Sequence, residues 1–445
     1  MRSTRGEVKP VPQARGGRHG QRLPAPALPD PADRLPPSPL ETSCLGGLLI
    51  NNPGVKSQPR RRTVLLVAGV VAVGTLGVGP SAVAQQAPRV TLSAKDKTIT
   101  FGQPARLYGH IAPRTGGETV NIIDRTGRMV ASATTTRRGR YKVWVNPSRN
   151  VVLRAQWATA VSDPVRVTVR PILKVFLGDV RAFDRTRVKG SIRPRLRGGT
   201  VKVALRRNGN VIRRRKVRVR KDSSFSTRFG IPRPGSYAAA ARFDGRDHAP
   251  AGARSGSKAT PTPSLSRGST GIFVKLLERR LRSLGYYLPG ADRTYDSKTY
   301  DAVIAFNKVQ RRLRSGNVTA STWGVLGSPR RPRARSRKGR FHIEIDQTRQ
   351  VVFTVRRGRV ANVLHTSTGA GGATHDGSYR VFRKVEGYSG GGLYYPSYFD
   401  GLRAIHGWPS VPTSAASHGC ARVPMWTAKW IFRRAPIGTK VRIYH

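Results

Sequence analysis

Acidic side chains are scarce in this chain: 22 Asp and Glu stand against 82 Lys and Arg, a formal net charge of +60. A surface of that sign favours an anionic surface, polymer or matrix as partner. Nucleic acid belongs to that class, but arginine predominates and is spread over most segments, which a biased genome composition alone produces. Cysteine is scarcer still. Only Cys44 and Cys420 occur in 445 residues, so no disulfide framework can organise the fold. The length exceeds that at which one hydrophobic core keeps growing, and several domains are expected.

Arg60-Arg61-Arg62 precedes an apolar and small-residue run from Thr63 to Val78, closed by Pro80-Ser81-Ala82-Val83-Ala84. This order of positive segment, apolar core and small-residue site predicts an export signal cut after Ala84. The run is nearly long enough to span a bilayer, so an uncleaved anchor is the alternative, with the glycines and Pro80 favouring cleavage. Under both readings the arginines stay in the cytoplasm and everything after Gln85 is extracytoplasmic. Arg61-Arg62-Thr63-Val64-Leu65 also loosely fits a twin-arginine signal. Residues 1–54 are rich in Pro, Gly and Arg, lack apolar periodicity and read as disordered. A signal this far from Met1 points to a start at Val55, read from an alternative initiation codon, giving a signal segment of 55–84. Processing removes Cys44, so Cys420 has no intrachain partner outside the cell and must be buried or used.

The exported part reads as mainly β. Short alternating runs between residues 88 and 170, such as Tyr141-Lys142-Val143-Trp144-Val145, predict a small Ig-like β-sandwich. A second copy follows at 171–250, because Gly109-His110-Ile111-Ala112-Pro113 recurs as Gly190-Ser191-Ile192-Arg193-Pro194. Neither copy holds a chemically suggestive cluster, and the pair suggests a spacer or stalk. Residues 251–267 are rich in Ser, Thr, Pro and Gly and predict a linker. Helical periodicity then begins, with Val274, Leu277, Leu281 and Leu284 on one face and Gly285 as a stop, followed by Val303, Phe306 and Val309 on another. The LxxLGY run at Leu281–Tyr286, AVxxF at Ala302–Phe306 and the closing TWxxL make residues 268–327 resemble the three-helix peptidoglycan-binding domain. Asp292-Arg293-Thr294-Tyr295-Asp296 departs from it, since glycines usually flank the aromatic there.

Residues 328–340 carry seven positive charges and no apolar anchor, so they predict a basic linker; aromatics that would stack nucleobases are absent. The glycines of Thr368-Gly369-Ala370-Gly371-Gly372 lack the GK[ST] ending of a phosphate loop and predict a turn.

His406 precedes Cys420 by fourteen residues and His418 by two. A zinc site lacks an evident fourth ligand, and no metal or cofactor is expected. A cysteine nucleophile needs a base and oxyanion donors, which an imidazole and the flexible backbone of Gly419 supply; a buried structural thiol is the competing reading. An imidazole in reach would favour thiolate as imidazolium forms.

His406-Gly407, Ser417-His418-Gly419-Cys420-Ala421-Arg422, Ser367-Thr368-Gly369, Asp376-Gly377 and Pro436–Val441 make residues 341–445 similar to the L,D-transpeptidase catalytic family. The resemblance implies a β-rich domain in which Cys420 attacks the bond between the third residue of a peptidoglycan stem and D-Ala. It implies His406 as the base held by the Gly407 carbonyl, with His418, Gly419 and Cys420 shaping the oxyanion site, although which histidine serves as base stays open. Arg422 and Ser417 are the implied substrate contacts. Tyr394, Tyr395 and Trp408 are candidates for the donor groove, with core packing as the alternative. His375 stands where the family usually has Pro. The implied partner is peptidoglycan, with anionic wall polymers as a further candidate, no nucleic acid, and membrane only through an N-terminal anchor. L,D-carboxypeptidase and a silent wall-binding protein are the alternative functions.

Overall fold

A computed structural model describes residues 87–196 and 199–445. The disordered reading of residues 1–54, the export segment and the Ala84 boundary lie outside the described residues. Among the described residues no helix is long and apolar enough to cross a membrane.

Period-two alternation builds the first two units. In Arg140–Val145 the buried residues are Tyr141, Val143 and Val145. A four-stranded and a six-stranded sheet enclose one apolar cluster that includes Leu107, Ile111, Ile122 and Leu153. A three-stranded and a five-stranded sheet enclose a second, around Val188, Val203, Phe225 and Tyr237. The repeat is present in three dimensions. Strands Ala105–Ala112 and Arg185–Arg193 both lead into a cis X-Pro bond, at Pro113 and Pro194. Each also carries a glycine beneath a cross-strand aromatic, Gly109 opposite Tyr141 and Gly190 opposite Phe225. A Cβ at either glycine would overlap that ring and a neighbouring carbonyl oxygen, so the spacing of the repeat preserves a packing device.

The segment expected as a linker at 251–267 does not behave as one. Ala251–Arg254 and Lys258–Ala259 pair with Ser236–Phe243, whose edge otherwise presents unpaired backbone groups. Leu265 is buried and bridges to Val318, and the Trp323 indole donates to the Pro263 carbonyl at 2.8 Å.

Three helices follow, α1 (Ile272–Ser283), α2 (Ser297–Val309) and α3 (Ala320–Gly327). Val274, Leu277, Leu281 and Leu284 are all buried, and Gly285, at φ +93°, ends the helix as expected. The Asp292–Asp296 departure has a structural use, since the Asp296 carboxylate caps α2 by accepting from the Lys298 and Thr299 amides.

The carboxy-terminal region contains β1 (Phe341–Asp346), β2 (Val351–Arg356), β3 (Arg359–His365), β4 (Gly377–Arg380), β5 (Arg383–Lys384), β6 (Tyr394–Asp400), β7 (Arg403–Trp408), β8 (Ala421–Pro424), α4 (Met425–Arg434) and β9 (Lys440–Tyr444). Its sheets are ordered β3-β2-β1-β9-β4 and β5-β6-β7-β8. Helix α4 lies close against β7, where a Cβ on Gly407 would fall 2.8 Å from the Ala428 methyl.

The helical and carboxy-terminal regions share one core. Leu284, Tyr286 and Phe306 cluster with Val351, Phe353, Val355 and Val363, and Gly285 and Tyr287 exchange backbone hydrogen bonds with Val363. The basic segment at 328–340, expected as a free linker, is tied down. The Arg335 and Ser336 amides donate to the Glu344 carboxylate at 2.9 and 2.7 Å, because that fully buried group requires donors.

Gly190→Ala should destabilise the second β unit by about 1–3 kcal/mol through overpacking, read as a lowered midpoint in urea denaturation. Gly252→Ala, whose Cβ meets nothing nearer than 3.8 Å, should leave the midpoint unchanged.

Candidate active site

Strands β7 and β8 run parallel, with Ile405 beside Ala421, His406 beside Arg422 and Gly407 beside Val423. Ile405, Ala421 and Val423 enter the core. Alternation therefore puts His406, Trp408, Cys420 and Arg422 together on the opposite face. The thirteen residues between histidine and cysteine are the end of β7 and a loop that leads to β8, which begins just after the thiol.

The His406 ring is 1 % exposed, with Nδ1 2.9 Å from the Gly407 carbonyl oxygen and the Trp408 ring edge-on to it. A carbonyl can only accept, so Nδ1 carries the proton and Nε2 is left as a bare acceptor. Burial lowers the His406 pKa below its ordinary 6.5; the Gly407 carbonyl opposes this and the Arg422 charge adds to it. The partly buried Cys420 sulfur accepts from the Ala404 amide at 3.4 Å and donates to the Leu402 carbonyl at 3.7 Å. Burial raises the thiol above its ordinary 9.0, against the Ala404 N–H and the charges of Arg422 and Arg403. Both shifts favour the neutral forms, thiol and imidazole. A thiolate was expected only with an imidazole in hydrogen-bond reach of the sulfur, and burial here opposes both charged forms. Among the described residues neither imidazole hydrogen-bonds to the sulfur, and His418 is exposed.

The loop before the thiol is closed from within. Ser417 Oγ donates to the Cys420 carbonyl at 2.6 Å and accepts from the Gly419 amide at 3.1 Å. Ser417 is buried and its hydroxyl occupied, so its expected role in binding substrate is replaced by one in holding the turn. Gly419 has φ +131°, and a Cβ there would lie 2.9 Å from Arg403 Nε and 3.0 Å from the Ala373 carbonyl. Its amide serves Ser417, which leaves the Cys420 N–H, without a partner among the described residues, as the available donor beside the sulfur.

Arg422 donates to the Ala416 carbonyl at 3.1 Å and lies 5.2 Å from the Trp408 ring centre. Its backbone pairs with Ser367 in both directions, at 3.0 and 2.8 Å, which brings Ser367-Thr368-Gly369 alongside the loop. Trp408 lies on the thiol face. Tyr394 and Tyr395 do not: Tyr395 is buried against Phe432, and the Tyr394 ring occupies the space that Gly407 leaves on the core side. Core packing is the correct reading of both.

Arg403 escaped sequence reasoning. Its guanidinium donates to the Ala373 carbonyl at 2.9 Å and to Asp400 at 2.7 Å, lies 3.2 Å from His375 Nε2, and bears on the Cys420 pKa. Among 82 basic residues it carried no distinguishing signal. His375 thus finds a partner at the edge of the site.

The family model of the L,D-transpeptidase catalytic domain matches residues 340–443, and that of the peptidoglycan binding domain matches residues 270–326. A crystal structure of the L,D-transpeptidase from Xylanimonas cellulosilytica is 36% identical, covering 41% of this chain and 99% of that one, with a TM-score of 0.40. An L,D-transpeptidase from Stackebrandtia nassauensis is 26% identical, covering 42% of this chain and 98% of that one, with a TM-score of 0.27. No curated protein matches the sequence.

A thiol that is neutral at rest should be alkylated by iodoacetamide at a rate that is still climbing with pH at the ordinary thiol pKa of 9.0 and levels off only above it. Mass spectrometry of the Cys420 peptide across pH measures this. Full reactivity already at about pH 6 would reveal a pre-formed thiolate and overturn the assignment.

Proposed function

This chain belongs to the L,D-transpeptidase family, and from that premise we propose that it cross-links peptidoglycan through a thioester on Cys420. The observation that carries the proposal is the shared face of β7 and β8, on which Cys420 lies beside a buried imidazole whose Nδ1 is committed to the Gly407 carbonyl. His406 Nε2 takes the thiol proton as sulfur attacks the carbonyl carbon of the third stem residue. The Cys420 N–H is the donor nearest the developing oxyanion. The C–N bond to D-Ala breaks, and its nitrogen leaves with the proton held by His406. The side-chain amine of another stem's third residue then attacks the thioester, passes a proton to His406 and releases Cys420 as a thiol. Arg422, stacked near Trp408, offers a guanidinium to a substrate carboxylate. His418 is exposed and contributes its backbone.

The remaining regions take supporting roles in this proposal. The two β units are Ig-like sandwiches serving as a stalk, and the helical region binds peptidoglycan. Action is extracytoplasmic, as cell-wall chemistry requires. Anionic wall polymers are further partners, supported by a groove of about 1220 Å³ between the second β unit and α1, lined by Arg185, Arg213, Arg214, Arg233 and Arg279 with Asp184 as its one acid.

Incubation with a purified tetrapeptide stem should give a dimer and free D-Ala by mass spectrometry. Tripeptide alone would mean carboxypeptidase action, and no change would mean a silent protein. Cys420→Ala should abolish the reaction. His406→Ala should reduce carbapenem acylation by about 10²-fold or more, while His418→Ala retains most of it; the reverse order would move the base to His418. The acylation rate should rise with pH through a value below 6.5, since a base acts once deprotonated and burial lowers that threshold.

A further inference from the structure

Lys308 lies on the last turn of α2, yet its side chain leaves the helical region altogether. Only 2 % exposed, its Nζ contacts the Gln350 carbonyl at 2.9 Å, the Thr366 carbonyl at 2.8 Å and His365 Nδ1 at 2.8 Å. The proton count is fixed by these partners. His365 Nε2 lies 3.0 Å from the Val411 carbonyl, so Nε2 must carry that ring's proton and Nδ1 must accept. Three acceptors then require three N–H donors, which only the ammonium form supplies. Burial and the nearby Arg314 pull the Lys308 pKa down to about 6, while Asp301 opposes them; the donor geometry supports the charged form.

Each acceptor connects within one or two residues to the chain on either side of the nucleophile. His365 hands the contact on to Val411. Thr366 donates its hydroxyl to the Arg422 carbonyl at 2.6 Å. Gln350 grips Thr368 through both amide atoms, at 2.6 and 2.8 Å, and the Thr368 carbonyl accepts from the Ala416 and Ser417 amides. A fourth strut comes from the same side, Arg314 to the Thr413 carbonyl at 2.7 Å. The stretch from Val411 to Ser417 contains no helix or strand of its own. Its carbonyls are fixed from outside.

We infer that Lys308 is a positioning residue, holding the chain on both sides of Cys420 through His365, Thr366 and Gln350, so that the helical region forms part of the active-site framework as well as an attachment to the wall. The inference rests on the transpeptidase reading, because its consequence is the rate of acyl transfer to Cys420. A misplacement of the loop by a fraction of an ångström is enough to slow acylation strongly while the fold persists.

The test uses the full chain and a carbapenem, with Cys420 acylation followed by mass spectrometry. Lys308→Met and His365→Leu should each slow acylation by about tenfold or more, and the double variant should be no slower than the slower single variant, because both cut one path. Val274→Ala, which removes buried atoms of the helical core but no member of the network, should acylate at the wild-type rate. Iodoacetamide alkylation of Cys420 should be unchanged in all three network variants, whereas loss of fold would raise it. Folded Lys308→Met or His365→Leu acylating like wild type would overturn the inference, as would rates that multiply in the double variant. A wild-type chain that is not acylated would instead overturn the transpeptidase reading. If Lys308→Met does not fold, Arg314→Gln carries the test: slowed acylation supports the loop-holding role and an unchanged rate overturns it.

Discussion

The parallel pairing of β7 with β8 is the constraint on which the site depends. Parallel neighbours cannot be joined by a tight turn, so the connection has to travel, and here it travels as the loop between Trp408 and Ala421. The register then decides every side chain at once. Ile405 with Ala421 and Gly407 with Val423 face the core, so His406 and Arg422 face away from it with Cys420. A slip of one residue would send the imidazole into the core and an aliphatic chain to the thiol. Helix α4 guards against the slip, because its approach to β7 at Ala428 requires the residue beneath it to be glycine.

Neutrality of the resting pair follows from the same placement. Both groups lose water on one side of the sheet, and the charges near them are the positive ones of Arg403 and Arg422. Those charges favour a thiolate and disfavour an imidazolium, so they help the attack and hinder premature proton transfer. The thiol is therefore held in its less reactive form until substrate displaces water and completes the arrangement.

The sequence was legible where order and spacing alone determine contact. Cys420 and His406 were singled out because a histidine and a cysteine in that order favoured a nucleophile over a zinc site or a structural thiol, and the β repeat because Gly-x-Ile-x-Pro recurs, which the structure explains by a glycine under an aromatic in each copy. Burial was legible in α1, where Val274, Leu277, Leu281 and Leu284 fall on one face. Orientation was not legible for Ser417, Tyr394 and Tyr395, since their side chains suit a groove or a core equally well and only the register assigns the face. Leu265 and Glu344 turned apparent linkers into tethered segments because each buried group calls for partners that lie far away in sequence. Arg403 and Lys308 were hidden by sheer abundance of positive charge.

That abundance has a structural answer. With so few acids, carboxylates cannot serve as counter-groups for most of the cations that become buried, and backbone carbonyl oxygens take their place. Lys308 meets two of them, Arg314 donates to those of Thr413 and Thr348, Arg280 places two nitrogens on that of Leu326, and Arg207 does the same at Pro234. Arg403 and Arg422 follow the pattern at Ala373 and Ala416, beside the thiol itself. A carbonyl belongs to the backbone, so a cation bound to it fixes chain position, whereas a cation bound to a flexible carboxylate fixes only a side chain. The scarcity of acidic residues and the firm anchoring of an otherwise irregular catalytic loop are, on this account, two aspects of one arrangement.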